Sequence, residues 1–86
     1  MRYFVRSLDV WGNEKDGYEV NDSYTCGSIT VNEEPSDYDI IQALLTNGLL
    51  IEHPVSEYLK QVTIEGDDML ITIDLNGKPL FNLERE

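Results

Sequence analysis

The sequence predicts an α+β fold, with an antiparallel sheet of four to five strands and one main helix packed on one face. Apolar and polar residues alternate in short blocks between turn residues, which is typical of half-buried strands. One block, between residues 36 and 48, repeats its apolar residues at helical spacing instead. The predicted order is β-β-α-β-β-β in a single domain over residues 1–86, because this length is too short for two domains.

The first two strands are predicted over residues 3–11 and 18–31. Residues 3–11 are rich in β-branched and aromatic side chains. Gly12 and Gly17 bracket a polar stretch that is typical of a turn. The second strand is interrupted at Asn21-Asp22 and again at Gly27, where we expect bends or β-bulges.

The helix is predicted to begin after Ser36, a suitable N-cap residue. Asp37 and Asp39 place negative charge in the first turn, where it interacts favourably with the helix dipole. Asn47-Gly48 predicts the C-terminal end. Its apolar face is formed by Ile40, Ile41, Leu44 and Leu45.

The last part of the chain is predicted to be a meander. A helical turn over residues 56–60 precedes strands at 62–64, 69–75 and 78–83, and Asn76-Gly77 is a strong hairpin signal. The predicted opposing pairs are Leu75–Lys78, Asp74–Pro79 and Ile73–Leu80. In this register the nitrogen of Pro79 points away from the partner strand, so we expect residues 78–83 to form an edge strand, at least at Pro79.

The composition is strongly acidic, with 17 Asp+Glu against six Lys+Arg and a net charge of −11. This charge argues against direct binding to nucleic acid or to an anionic membrane. No apolar run approaches the ~20 residues of a membrane helix, and the first residues lack the apolar stretch of a signal peptide. Because a single cysteine cannot form an internal disulfide, we expect a reducing, cytoplasmic setting.

The acids are concentrated between positions 9 and 39, where nine of them accompany one base, Lys15. One interpretation is a negative surface that binds a basic groove, since side chains on one strand face repeat every ~7 Å, comparable with phosphate spacing. The other interpretation is a solubility coat, which charge alone favours.

Two aromatic residues flank the first predicted turn. Trp11 and Tyr18 are candidate interface anchors or, alternatively, a cross-strand pair within the hairpin. Together with the acids they complete the set of candidate partner-binding residues. These residues are Trp11, Glu14, Asp16, Tyr18, Glu19, Asp22, Glu33, Glu34, Asp37 and Asp39.

The sequence does not match the common motifs for catalysis or metal binding. An EF-hand loop aligned on Gly17 would place Gly12 and Ser23 at positions that need acids. His53, the only histidine, is expected to shape a turn before Pro54. Cys26 has no evident cationic activator, so we expect a partly buried, inert thiol. We therefore expect neither an enzyme nor a bound cofactor or metal, and a small enzyme or metal-binding domain is the lesser alternative.

Two segments carry a resemblance to known proteins. One reads D-V-W-G-N-x-x-D-G-Y-E-V-N-D from Asp9 to Asp22, and the other reads S-D-Y-D-I-I-Q-A-L, followed by Gly48-Leu49-Leu50. Both resemble segments of short, acidic proteins encoded by bacteriophages and other mobile elements. The resemblance implies a phage or prophage protein in the bacterial cytoplasm. In size and charge alone, the chain is also similar to phage inhibitors of host defence, including anti-CRISPR and anti-restriction proteins.

These observations predict a non-enzymatic acidic protein that inhibits a host nucleic-acid-handling or defence protein. It would occupy a basic site on that protein, as an anti-CRISPR protein or a DNA mimic does. The alternative is a phage structural or assembly module that self-associates, as a homodimer for example, through an edge of the last hairpin, although Pro79 limits this pairing. The net charge also predicts carboxylate repulsion that added salt relieves.

Overall fold

The computed structural model describes residues 1–51 and 54–86. Its strands are β1 (Arg2–Asn13), β2 (Gly17–Thr30), β3 (Val62–Gly66), β4 (Leu70–Leu75) and β5 (Lys78–Arg85), and its helices are α1 (Asp37–Thr46) and α2 (Val55–Leu59). The strands form one antiparallel sheet in the order β2-β1-β5-β4-β3. The predicted α+β class, with a five-stranded antiparallel sheet and one main helix, is confirmed.

The core lies between one face of the sheet and the helices. The buried residues of β1, β4 and β5 are two positions apart in each strand, at 3 and 5, 71 and 73, and 81 and 83, which identifies a single core-facing side of the sheet. The buried side chains are Tyr3, Val5, Ile29, Ile40, Ile41, Leu44, Tyr58, Ile71, Ile73, Phe81 and Leu83. Leu45, predicted on the same helix face, is half-buried against this cluster.

Helix α1 begins and ends as predicted. The Ser36 hydroxyl accepts a hydrogen bond from the Asp39 N–H at 3.1 Å, and the Asp39 carboxylate accepts one from the Ser36 N–H at 3.1 Å. This reciprocal capping box satisfies two backbone donors at the helix start. At the other end Gly48 has a φ of 72°, and the Leu49 N–H donates to the Leu44 carbonyl at 2.9 Å. Such a pairing across a left-handed glycine closes the last helical turn.

Strand β5 is not an edge strand along its length, so that part of the prediction is wrong, although β1 does not pair with it at Pro79, as expected. It lies between β1 and β4, and its pairs with β1 run from Tyr3–Arg85 to Ser7–Phe81. This ladder therefore ends before it reaches Pro79. Pro79 can occupy a central strand because the ladder with β1 stops short of its missing N–H.

The β4–β5 hairpin follows the predicted register only close to its turn. Asn76 and Gly77 have φ values of 51° and 83°, as a tight hairpin turn requires. The pairs Leu75–Lys78 and Asp74–Pro79 are confirmed, but Ile73 faces Phe81 rather than Leu80, because the register shifts between Ile73 and Asp74. Without this shift, alternation along β5 would turn Asn82 rather than Leu83 toward the core.

Strand β2 contains the two expected irregularities. The pairing with β1 shifts between Asp9 and Val10, which leaves Asn21 as an extra residue, as predicted. It shifts again between Val5 and Arg6, which leaves Cys26 rather than Gly27 as the extra residue. Both bulges change which side chains of β2 share a face with those of β1.

Candidate functional site

The β1–β2 hairpin extends beyond the five-stranded part of the sheet. Strand β5 pairs with β1 only as far as Ser7, whereas β1 and β2 remain paired out to Asn13 and Gly17. Residues 7–24, from the last residue of β1 that pairs with β5 to its partner in β2, are called the ribbon from here on. A two-stranded ribbon buries little on its own, so both of its faces are available for contacts.

One face of the ribbon carries aromatic and acidic side chains. Three successive opposing pairs on this face, which continues the core-facing side of β1, are Ser7–Tyr24, Asp9–Asp22 and Trp11–Glu19. Trp11 is 63% exposed and Tyr24 is 61% exposed. Large aromatic side chains exposed to this extent are common at protein interfaces.

The other ribbon face is mostly apolar, with Ser23 as a polar residue opposite Leu8. Val10 lies opposite Val20, and Leu8 occupies the same side of β1. Tyr18 lies opposite Gly12, not opposite Trp11, so the alternative of a Trp11–Tyr18 cross-strand pair is wrong.

The ribbon tip is a tight, acidic turn. The Asn13 side-chain oxygen accepts a hydrogen bond from the Asp16 N–H at 2.8 Å, and the Asn13 amide donates to the Asp16 carboxylate at 3.1 Å. Gly12 has a φ of 104°, and a Cβ there would lie 2.1 Å from the Gly17 carbonyl oxygen. The backbone at the tip therefore requires glycine at position 12. An open cleft of about 290 Å³ lies beside it and is lined by Trp11, Gly12, Asp16, Gly17, Tyr18 and Glu19.

The predicted site residues fall into two groups rather than one. Glu14, Asp16, Glu19 and Asp22 belong to the ribbon, whereas the acids between residues 33 and 39 follow the opposite end of β2. Within that second group the Asp39 carboxylate is engaged in the capping box. The other three, Glu33, Glu34 and Asp37, line an open cleft of about 250 Å³.

This cleft contains three carboxylates that sequence reasoning missed. Glu65, Asp67 and Asp68, from the end of β3 and the turn that follows it, line it together with the second group. The Asp67 carboxylate accepts hydrogen bonds from the backbone N–H groups of Met69 and Leu70, which lower its pKa. The acidic turn is visible in the sequence, but its proximity to α1 depends on the strand order.

Ion pairs do not neutralise either acidic group. Across residues 1–51 and 54–86, the ion pairs are Arg2–Glu86 at 2.8 Å and Arg6–Glu84 at 3.7 Å, and neither includes a predicted site residue. In the same part of the chain, no three or more His, Cys, Asp or Glu side chains are placed so that together they could hold a metal ion. The exposed carboxylates therefore form a negative surface toward solvent.

Cys26 is half-buried at its bulge, and its thiol donates to the Val5 carbonyl at 3.5 Å. Burial raises the pKa of this thiol, which matches the expectation of a partly buried cysteine. The expectation that His53 shapes a turn lies outside the described residues.

Comparisons with known proteins add no relative. No protein-family model, curated protein or solved structure matches the chain. Among the described residues, no helix has the length and apolar character needed to cross a membrane.

Proposed function

We propose that this protein is a non-enzymatic, phage-type inhibitor that occupies a basic site on a nucleic-acid-handling or defence protein of the bacterial host. The observation that supports the proposal is an acidic surface without neutralising cations. Apart from Asp39, which is half-buried in the capping box, its carboxylates are exposed, and none of the predicted site acids has an ion-pair partner in the described part of the chain. Opposite charge on a partner would accelerate association and make it sensitive to salt.

The ribbon is the element through which we propose that the inhibitor enters its target. It extends past the sheet, it carries Glu14, Asp16 and Glu19 near its tip, and it exposes Trp11. A narrow acidic ribbon fits a cleft built to hold a nucleic-acid strand, because such clefts are lined with Lys and Arg.

The test is capture of partners from a bacterial host lysate on immobilised protein, with washes at low and then high salt, followed by mass spectrometry. We expect one nucleic-acid-binding or defence protein to be retained at low salt and released at high salt. A triple variant, Glu14→Lys, Asp16→Lys and Glu19→Lys, should lose that protein while it remains folded by circular dichroism.

A matched triple variant, Glu33→Lys, Glu34→Lys and Asp37→Lys, changes the net charge by the same amount at the other acidic group. If the partner enters through the ribbon, this variant should retain most of its binding. Absence of any salt-released partner would contradict the inhibitor proposal. Loss of the partner only in this second variant would instead assign binding to the cleft.

Self-association is a second candidate function, and the edge strand β2 favours it. The predicted route through the last hairpin is closed, because β5 lies inside the sheet. Strand β2 is 14 residues long, and the sheet provides it with one neighbour, β1. An edge of this length can pair with a second copy. Light scattering that gives a mass rising from monomer to dimer with concentration would support this function, and a constant monomer mass would exclude it.

A further inference from the structure

On the ribbon face that continues the core side of β1, aromatic residues lie on either side of two carboxylates. Its three opposing pairs place Tyr24 at the base, Asp9 with Asp22 in the middle, and Trp11 with Glu19 toward the tip. Successive pairs on one face are ~7 Å apart, and directly opposing Cβ atoms are ~5 Å apart. Two exposed aromatic rings therefore flank a pair of carboxylates.

The central pair of this face joins two like charges. Asp9 accepts a hydrogen bond from the Asn21 amide at 3.2 Å, and Asp22 accepts one from the Ser23 N–H at 2.8 Å. Neither carboxylate has an ion-pair partner among the residues that the structure describes. Like charges directly opposite each other on a sheet repel, so a cation placed between them would relieve that repulsion.

We propose that this ribbon face binds arginine side chains on an extended segment of a basic partner protein, an inference that rests on the proposed function. A planar guanidinium can donate two parallel hydrogen bonds to a carboxylate and can stack on an aromatic ring. An ammonium acts as a compact point charge and has neither the planar pair of donors nor a flat surface for stacking. Alternate residues of an extended segment are also ~7 Å apart, so arginines at every second position match the spacing of the pairs. Trp11 and Tyr24 provide the stacking surfaces and Asp9, Asp22 and Glu19 provide the charge.

The charge of the chain identifies the occupant as a different protein rather than a second copy. A two-fold dimer through this face would bring the same surface to itself, and so oppose its acids with acids. The chain has six Lys+Arg against 17 Asp+Glu, and two of its arginines already pair with Glu84 and Glu86. A basic partner avoids this repulsion.

Trp11 is the only tryptophan of the chain, so its fluorescence reports directly on this face. The probe is a five-residue peptide with arginine at positions one, three and five and serine between them. A second peptide carries lysine at the same positions and has the same charge. We expect the arginine peptide to change Trp11 emission saturably and to bind at least about threefold more tightly than the lysine peptide.

Two double variants locate the binding. Asp9→Asn with Asp22→Asn should weaken binding of the arginine peptide at least about fivefold. Glu33→Gln with Glu34→Gln removes the same charge from the distant cleft and should change its affinity less than about twofold. Equal effects of the two double variants, or equal affinity for the two peptides, would overturn the inference.

The outcomes separate this inference from the proposed function. If lysate capture identifies a partner that the charge-reversed ribbon loses, but the arginine peptide shows no preference, the inhibitor proposal stands and the arginine inference fails. If the peptide binds as expected but no partner is captured, the preference of this face for arginine stands and the inhibitor proposal fails.

Discussion

Gly12 is the residue whose replacement should most disturb the ribbon. Its φ of 104° lies in a region that side chains rarely adopt, and an added Cβ would meet the Gly17 carbonyl oxygen at 2.1 Å. We expect Gly12→Ala to lower the free energy of unfolding by about 2–3 kcal/mol. Urea denaturation followed by circular dichroism measures this change.

Gly17→Ala is the matched control for that prediction. Gly17 also has a positive φ, 89°, but a Cβ there would meet no atom within 4 Å. The Gly17→Ala variant should therefore lose only about 1 kcal/mol of the free energy of unfolding, because it has the conformational strain without the clash. Equal losses in the two variants would show that the close approach at Gly12 is relaxed in solution.

The Cys26 thiol should react slowly with disulfide reagents in the folded protein. Burial raises its pKa, and the reactive species is the thiolate. At a pH between the unfolded and folded pKa values, the folded protein contains less thiolate than the unfolded chain. The midpoint of a rate-against-pH profile should therefore lie higher in buffer than in concentrated urea, as measured with a chromogenic disulfide. Coincident midpoints would contradict the burial of this side chain.

At the scale of a single element, α1 depends on its capping box. The Ser36 hydroxyl accepts the Asp39 N–H, and the Asp39 carboxylate accepts the Ser36 N–H. Ser36→Ala removes the first of these bonds and should lower the free energy of unfolding by about 1 kcal/mol. Chemical denaturation tests this, with Ser56→Ala as control because no side chain caps α2. If both variants are equally stable, the N-cap of α1 contributes nothing in solution.

The elements with strong local signals are the ones that could be predicted from sequence. The ends of α1, the Asn76-Gly77 turn and the bulge at Asn21 each depend on residues within a few positions. The position of β5 depends instead on pairs such as Tyr3–Arg85, between opposite ends of the chain. Pro79 correctly indicates a missing neighbour at its own position, but that local signal does not describe the whole strand.

At the scale of the whole molecule, composition identifies the acids but not their grouping. Glu65, Asp67 and Asp68 join Glu33 and its neighbours because the strand order brings their turn beside the start of α1. The alternation of aromatic and acidic side chains on the ribbon depends in turn on the register shift at Asn21. The bulge at Asn21 has a local signal, but the side chains that it places opposite each other, like those of the cleft, depend on which strands pair and in what register.

The same surface predicts how the stability of the whole protein responds to salt. With a net charge of −11 and two ion pairs in the described part of the chain, repulsion among carboxylates outweighs attraction. Salt screens charges over ~10 Å at 0.1 M, so repulsion within each acidic group should weaken. We expect the melting temperature to rise on the order of 5 °C between low and about 0.5 M NaCl, as measured by calorimetry.

Removing charge should imitate the effect of salt. The Glu33→Gln, Glu34→Gln variant relieves repulsion at the acidic cleft, so it should melt higher than the parent protein at low salt and gain less from added NaCl. The two effects should not add fully, because screening acts on the same interactions that the substitutions remove. A melting temperature that is independent of salt in both proteins would show that the carboxylates do not strain the fold. The acidic surface would then have no measurable effect on the stability of the free protein, and only partner binding could reveal its role.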